Sequence, residues 1–377
     1  MTRVTGVRAE AYRVPLARPV TFATRAVAAR EYVIVWIDTD DGISGTGHTY
    51  AGTAGGRIVR DIVRDLLVPV VSGADANDIA GIWARLYQET LLLGRRGAVI
   101  RSIAAIDTAL HDRAAIAAGQ PLFRYLGGTD PTVHAYASGG YYGGGAAFGD
   151  ETDALRLVEL EARRNVERGF DAVKIKVGRE LGLDVERVRI ARETLGPGRK
   201  LALDANNAWR TPAEAIRFVR AVERYDPWWI EEPLPTDDVV GHAEVARALD
   251  IPVAKGEIDQ TTWEFAAIVR ERGADILQPD VAVIGGVSQW LEVAAIARAA
   301  GLPVAPHWYH PVHVHMAAAT EHCITVEHFA LDLDVYNFDA LVREEARLVP
   351  KSGRLTAPER PGHGVILDDA ALARYRV

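Results

Sequence analysis

Cysteine is nearly absent from this chain. Cys323 is the only one, so no intrachain disulfide forms. That excludes a disulfide-stapled scaffold and fits a reducing compartment. An excess of positive charge is also missing: 43 Lys and Arg stand against 51 Asp and Glu, for a net charge of −8. Nucleic acid, whose phosphates call for a basic surface, is therefore not an expected partner. Any anionic substrate must be held by local cations rather than by the field of the whole molecule. No apolar run is long enough to span a bilayer. The opening stretch MTRVTGVRAEAYRVPL has no apolar core of the signal-peptide kind. We expect a cytoplasmic protein with no membrane partner.

What is present is ample material for a core. The 377 residues are 49% hydrophobic and 25% charged, a globular profile. Such a length suggests two domains, or one barrel with an appendage. Residues 4–13 and 31–38 read as strands, and DGISG at 41–45 as a turn. GISGTGHTYAG at 42–52 reads as a lead into a helical segment near 55–72. Further helical patterns lie near 76–93 and 97–118. Strands followed by helices make an α+β unit. From residue 131 the pattern alternates. Strands are expected at 133–138, 172–177, 201–206, 228–233, 251–256, 274–280, 302–307 and 324–329, mostly with amphipathic stretches between them. Eight strands alternating with helices are the signature of a (β/α) barrel. The Pro- and Gly-rich tail from 354 is expected to run back over the first unit. We therefore divide the chain at 1–128, 129–353 and 354–377.

One stretch of the barrel breaks its own pattern. Parallel strands covered on both faces read as apolar runs, yet DAVKIKVG at 171–178 carries Lys174 and Lys176. Side chains alternate along a strand, so both ammonium groups share one face. Polar residues recur at the C-terminal ends of the later strands: Asp204, Glu231, Glu257, Asp280, His307 and Glu327, each about one βα unit from the last. In a barrel these positions converge on one mouth, where barrel enzymes keep their active sites. Each residue alone reads as a rim salt bridge or a solvated surface charge; the set reads as chemistry.

Asp204, Glu231 and Glu257 would repel one another unless a cation joined them, and an all-oxygen site suits Mg²⁺ or Mn²⁺. A second ammonium, a nearby cation and partial burial all lower a lysine's pKa, which makes a base of a residue that is otherwise a poor one. Asp280 on the neighbouring strand would set the tautomer of His307. Glu327 would hydrogen-bond a substrate oxygen. The inventory suits proton abstraction next to a carboxylate, where a metal and a lysine stabilise the dianion that forms.

The sequence resembles the enolase superfamily, specifically its mandelate racemase-like group. The resemblance is carried by K-x-K at 174–176, LDANNAW at 203–209, WIEEPL at 229–234, KGE at 255–257, QPDVAVIGGV at 278–287, His307, and AAIDTALHDRAAIAAGQPLFRYLGG at 104–128. It implies a modified (β/α)7β barrel with an N-terminal α+β capping domain. It further implies Asp204, Glu231 (rather than Glu232) and Glu257 as Mg²⁺ ligands, with Asn206 beside the first. Lys176 would be the base and Lys174 its electrostatic partner. His307 with Asp280 would be the second acid/base, and Glu327 a donor to the substrate carboxylate. In this group, enzymes with both a K-x-K and a His–Asp pair are largely acid-sugar dehydratases, which the resemblance therefore implies first, ahead of racemases or epimerases of 2-hydroxy acids or N-substituted amino acids. Both share these residues, so the motifs do not separate the two. A homo-oligomer acting on a small carboxylate is expected from the family.

Specificity should lie in the loops 21–31 and 47–56, where Arg25, His48 and Tyr50 are candidate contacts. SGGYYGGG at 138–145 and HWYHPVHVH at 307–315 add Tyr141, Tyr142, Trp308 and Tyr309, a candidate aromatic wall. Two other readings compete. His307, His310, His313 and His315 suggest a zinc hydrolase, though their spacing fits no single helical face. The glycines of 139–145 suggest a phosphate cradle, but the Lys-Ser/Thr of a P-loop is missing.

Overall fold

The computed structural model describes residues 1–143, 151–331 and 335–377. The first unit is a three-stranded antiparallel sheet: β1 (Val4–Thr21), β2 (Ala26–Thr39) and β3 (Ser44–Tyr50). The first two strands run well past the segments expected for them. Pro15 and Pro19 suggest an early end to β1. The register instead shifts between Pro15 and Val20, and pairing resumes at Val20–Val27; a missing N–H is tolerated at such an irregularity. The hairpin tip closes with a Phe22 N–H to Arg25 carbonyl bond of 2.8 Å.

β3 lies where a lead into a helix was expected. Its sequence SGTGHTY has little β-branched character to announce a strand. The small residues serve packing. A Cβ on Gly47 would stand 2.1 Å from the Ala105 carbonyl oxygen, and one on Gly45 2.1 Å from that of Ala109. The sheet thus lies directly on the backbone of the long helix Ala98–Ala117.

The second unit is a closed parallel barrel. Its strands are β4 (Thr132–Ser138), β5 (Ala172–Lys176), β6 (Lys200–Asp204), β7 (Pro227–Glu231), β8 (Val253–Lys255), β9 (Ile276–Leu277) and β10 (Val326–His328). They are ordered β10-β4-β5-β6-β7-β8-β9. The strand expected at 302–307 is reduced to single parallel bridges from Val304 to Leu277 and to Cys323. Pro303 and Pro306 flank this position and donate no ladder hydrogen bonds.

Side-chain alternation now positions the site. Tyr136, Ala172, Ala202, Trp229, Ala254, Ile276 and Ala305 form one buried layer inside the barrel. Two residues further along their strands stand Lys174, Asp204 and Glu231, inward by the same period. The apolar layer is the floor and the polar residues stand on it.

The tail joins both units. β11 (Arg354–Thr356) pairs antiparallel with β4. His363 N–H then donates to Asp112 at 2.8 Å, Arg376 pairs with Glu10 at 2.7 Å, and Val377 N–H donates to the Ala11 carbonyl.

Gly47→Ala should cost about 1–3 kcal/mol by overpacking. We expect a lower urea midpoint with an unchanged slope; an unchanged midpoint would refute the close approach of β3 to the helix.

Candidate active site

Both lysines of β5 point into the barrel mouth and are buried. Lys174 Nζ lies 2.5 Å from Glu231 Oε1, 2.8 Å from Glu327 Oε1 and 3.5 Å from Asp204 Oδ2. Lys176 Nζ lies 2.5 Å from the same Asp204 oxygen. Burial works against the charge on Lys174, but Glu231, Glu327 and Asp204 outweigh it and hold its pKa well above the ordinary lysine value.

Asp204, Glu231 and Glu257 each place a carboxylate oxygen within 4.8 Å of the others. Two observations fit this set to a hard divalent cation. All donors are carboxylate oxygens, and the buried Glu257 Oε2 has no hydrogen-bond partner. Glu231 is aimed by bonds to one oxygen, from Trp229 Nε1 at 3.0 Å and Gln278 Nε2 at 2.7 Å. Glu232 turns away at a φ of 39° and accepts from Asn207 instead. Asn206, also at positive φ, donates to both oxygens of Asp204 through its N–H and its amide. Burial, relieved only in part by Lys174, raises the pKa of the Glu231 carboxyl above the ordinary carboxylate value.

Across the mouth, His307 Nδ1 lies 3.0 Å from Asp280 Oδ2 and its Nε2 3.5 Å from Glu257 Oε2. Asp280 is fixed by the Ala282 N–H at 2.8 Å. Burial disfavours the imidazolium, yet Glu257, Asp280 and Glu327 raise its pKa to about 9. Burial likewise disfavours ionised Glu327, but Lys174, His307 and Lys176 bring its pKa down to about 2. Its Oε2 accepts the Trp308 N–H at 2.8 Å. In this state Glu327 is an acceptor, not the donor that the resemblance implies.

A cavity of about 430 Å³ opens over these groups, and Lys176, Asn206, Glu257, His307 and Glu327 line it. Arg25, Tyr50 and Trp308 line it too. His48 and Tyr141 do not. The His48 ring is buried, stacked on Phe338 at 3.7 Å between centroids. Tyr141 packs behind Phe22, which takes its place on the cavity wall. Of the other candidate aromatics, Tyr142 hydrogen-bonds Asp184, and the Tyr309 hydroxyl donates to the His48 carbonyl.

Among the described residues, the histidine cluster makes no metal site. His313 Nε2 accepts the Val281 N–H, while His315 bridges Phe123 N–H and the His363 carbonyl. His310 faces Asp339 at 3.5 Å. Of the glycine loop, residues 144 and 145 lie outside the described residues. Gly140 N–H is already taken by the Glu161 carboxylate, which speaks against a phosphate cradle there.

Sequence reasoning missed Phe22, Arg30, Arg101 and Phe329 on the cavity wall. Arg30 left a signal: in AREYVIVW it and Glu31 are two adjacent charges at the start of an otherwise core-like strand, and adjacent residues face opposite sides.

Residues 4–127 match the family described as mandelate racemase / muconate lactonizing enzyme, N-terminal domain, and residues 157–371 the one described as enolase C-terminal domain-like. The chain belongs to the mandelate racemase/muconate lactonizing enzyme family of the enolase superfamily. A 3,6-anhydro-alpha-L-galactonate cycloisomerase of Streptomyces coelicolor is 36% identical over 98% of this chain and 99% of its own length. An arabinonate dehydratase of Saccharolobus solfataricus is 33% identical over 92% and 91%. A crystal structure of a racemase from Streptomyces coelicolor with bound magnesium superposes with a TM-score of 0.91, at 36% identity, covering 99% of this chain and 100% of that one. The family's capping sheet and barrel are the two units described above.

Asp204→Asn and Glu257→Gln should each weaken Mg²⁺ or Mn²⁺ binding by at least ~10–100-fold without unfolding the chain. Calorimetry, with circular dichroism as the control, measures this; undiminished affinity would refute the ligand set. In the metal-free protein, the His307 ring should titrate near pH 9 by NMR, and lower once Asp280→Asn removes its partner. Because the folded pKa is raised, this group's contribution to stability is complete below ~6.5 and is lost as pH rises through about 9.

Proposed function

We propose that the protein removes the proton α to a substrate carboxylate and then expels the oxygen on the neighbouring carbon, dehydrating an acid sugar to a 2-keto-3-deoxy acid. The observation that carries this reading is the placement of Lys176 and His307 on one cavity, with three clustered carboxylates between them. Asp204, Glu231 and Glu257 would hold Mg²⁺, with Mn²⁺ chemically equivalent. When bound, the cation supplies positive charge opposite the substrate's carboxylate oxygens, where the enediolate gathers its second negative charge.

The chain's own residues take the remaining roles. Lys176 accepts the C2 proton. Lys174, held charged by its carboxylates, compensates the growing charge without leaving its place. His307, its Nδ1 on Asp280, turns Nε2 toward the cavity and gives a proton to the departing C3 hydroxyl, which leaves as water. The enol that remains becomes the 2-keto group, so C2 loses a hydrogen and C3 a hydroxyl. A substrate carboxylate near Glu327 would raise its pKa and make it a donor.

Racemisation or epimerisation is the second reading. It uses the same two bases on opposite faces of one carbon, and it has the solved relative called a racemase behind it. We extend the proposal to a cytoplasmic location, supported by the single cysteine, and to a homo-oligomer, which rests on the family. Among the described residues no helix is long and apolar enough to cross a membrane.

Proton NMR in D2O with Mg²⁺ tests the reading on acid sugars, 2-hydroxy acids and N-substituted amino acids. Loss of the α-proton with a 2-keto-3-deoxy product is the expected outcome. Exchange with inversion and no loss of water would replace dehydration by racemisation. Lys176→Ala should cost ~10²–10⁴-fold in kcat, and His307→Asn should stop water loss while leaving C2 exchange measurable. Equal loss of exchange in both variants would overturn the division of roles.

A further inference from the structure

We infer that the cavity contains a second anion site, formed by Arg30 and Arg101, and that the substrate is an acid with another anionic group at the end remote from the reacting carbon. This rests on the proton-abstraction reading and names the substrate class within it.

The charges of the cavity are divided. Its two acids, Glu257 and Glu327, stand beside His307 and Lys174 at the barrel end. The wall from the capping unit carries Arg30 on β2 and Arg101 in the first turn of the helix Ala98–Ala117. Arg30 is only 8% exposed. Its hydrogen bond is a long one, from Nε to the Val335 carbonyl at 3.4 Å, and its guanidinium lies 5.0 Å from the centre of the Trp308 ring. Arg101 Nη1 donates to the Tyr50 carbonyl at 3.2 Å and lies over that residue's ring at 4.4 Å. Among the described residues, neither makes an ion pair with a carboxylate.

Several other arginines of the same unit are paired, among them Arg13 with Glu31, Arg64 with Glu10 and Arg113 with Asp41, and the cavity's third arginine, Arg25, is exposed to solvent. Glu31, the neighbour of Arg30, points to the other face of the sheet and is used by Arg13 and the Gly56 N–H. A buried cation without a partner is costly, and a cation in a first turn opposes the helix dipole. Both costs fall when an anion binds in the cavity that the two arginines share. Two planar guanidiniums suit a carboxylate or a phosphate.

The route between the two ends is also built. Trp308 stacks on His307 at 5.6 Å and lies 5.4 Å from Tyr50. An extended acid whose first carboxylate meets the lysines and the three acids runs along Trp308 and ends at the arginines. The rings of this wall are platforms that hold cations, which reconciles them with a polyhydroxy acid.

The test compares sugar diacids, the matching monoacids and the monoacid 6-phosphates on the full chain loaded with Mg²⁺. Binding is read by calorimetry and turnover by the NMR assay. One dianionic series should bind at least ~10-fold tighter than the monoacid of the same configuration, as expected for charged hydrogen bonds; which series does so identifies carboxylate or phosphate. Arg101→Met should lower this discrimination ~10-fold or more, chiefly through KM. Arg30→Lys, chosen because Arg30→Met could unfold the sheet, should lower it in the same direction. Equal binding of mono- and dianions, or discrimination untouched in both variants, would overturn the inference. If no acid exchanges its α-proton, the proton-abstraction reading fails. Dianion binding that the variants weaken would still establish the anion site.

Discussion

The site depends on the contact between one buried ammonium group and three carboxylates. Lys174 is almost inaccessible to solvent and touches Glu231, Glu327 and Asp204. Without that charge, the acids drawn together at the mouth would repel one another in a medium that screens poorly. Lys174 ties the metal-ligand cluster to the opposite wall, because Glu327 also fixes the backbone of Trp308. One side chain on the second barrel strand therefore sets the spacing of groups from the third, fourth and last strands. Its own position follows from the period of two that puts Ala172 in the floor layer below it.

The rest of the molecule divides its tasks around this cluster. The barrel supplies rigid strand ends, and bonds behind them aim the functional atoms: Trp229 and Gln278 on Glu231, Asn206 on Asp204, Asp280 on His307. The capping unit supplies the opposite wall, with Arg30 and Tyr50 from its sheet and Arg101 from its long helix. Such supports let a site keep its geometry while its charges change during a reaction.

Most of the catalytic end was legible in the sequence because strand ends recur at a regular interval and chemistry-bearing residues stand at each. Asp204, Glu231 and Glu257 meet as that pattern implies. The parts that were not legible have local physical causes. β3 hides behind glycines that serve close packing rather than strand propensity. The seventh barrel strand is interrupted by two prolines. His48 shares the face of Tyr50 on a strand that was not anticipated but is covered by Phe338 and Tyr309, and Tyr141 is displaced from the wall by Phe22. Arg30 and Arg101 are single cations in two distant segments, and only the folded chain shows that both face the same cavity.

The tail carries a consequence for the order in which the molecule is completed. Arg376 meets Glu10 across 366 residues of chain, and Val377 bonds to Ala11. During synthesis β1 emerges ahead of the barrel, yet this edge stays open until the barrel and the tail have both been made. Contacts so distant along the chain are slow to form, and an uncovered strand edge invites wrong pairing meanwhile. The two units are thus bound in time as well as in space: a strand made before the barrel is among the last to be sealed.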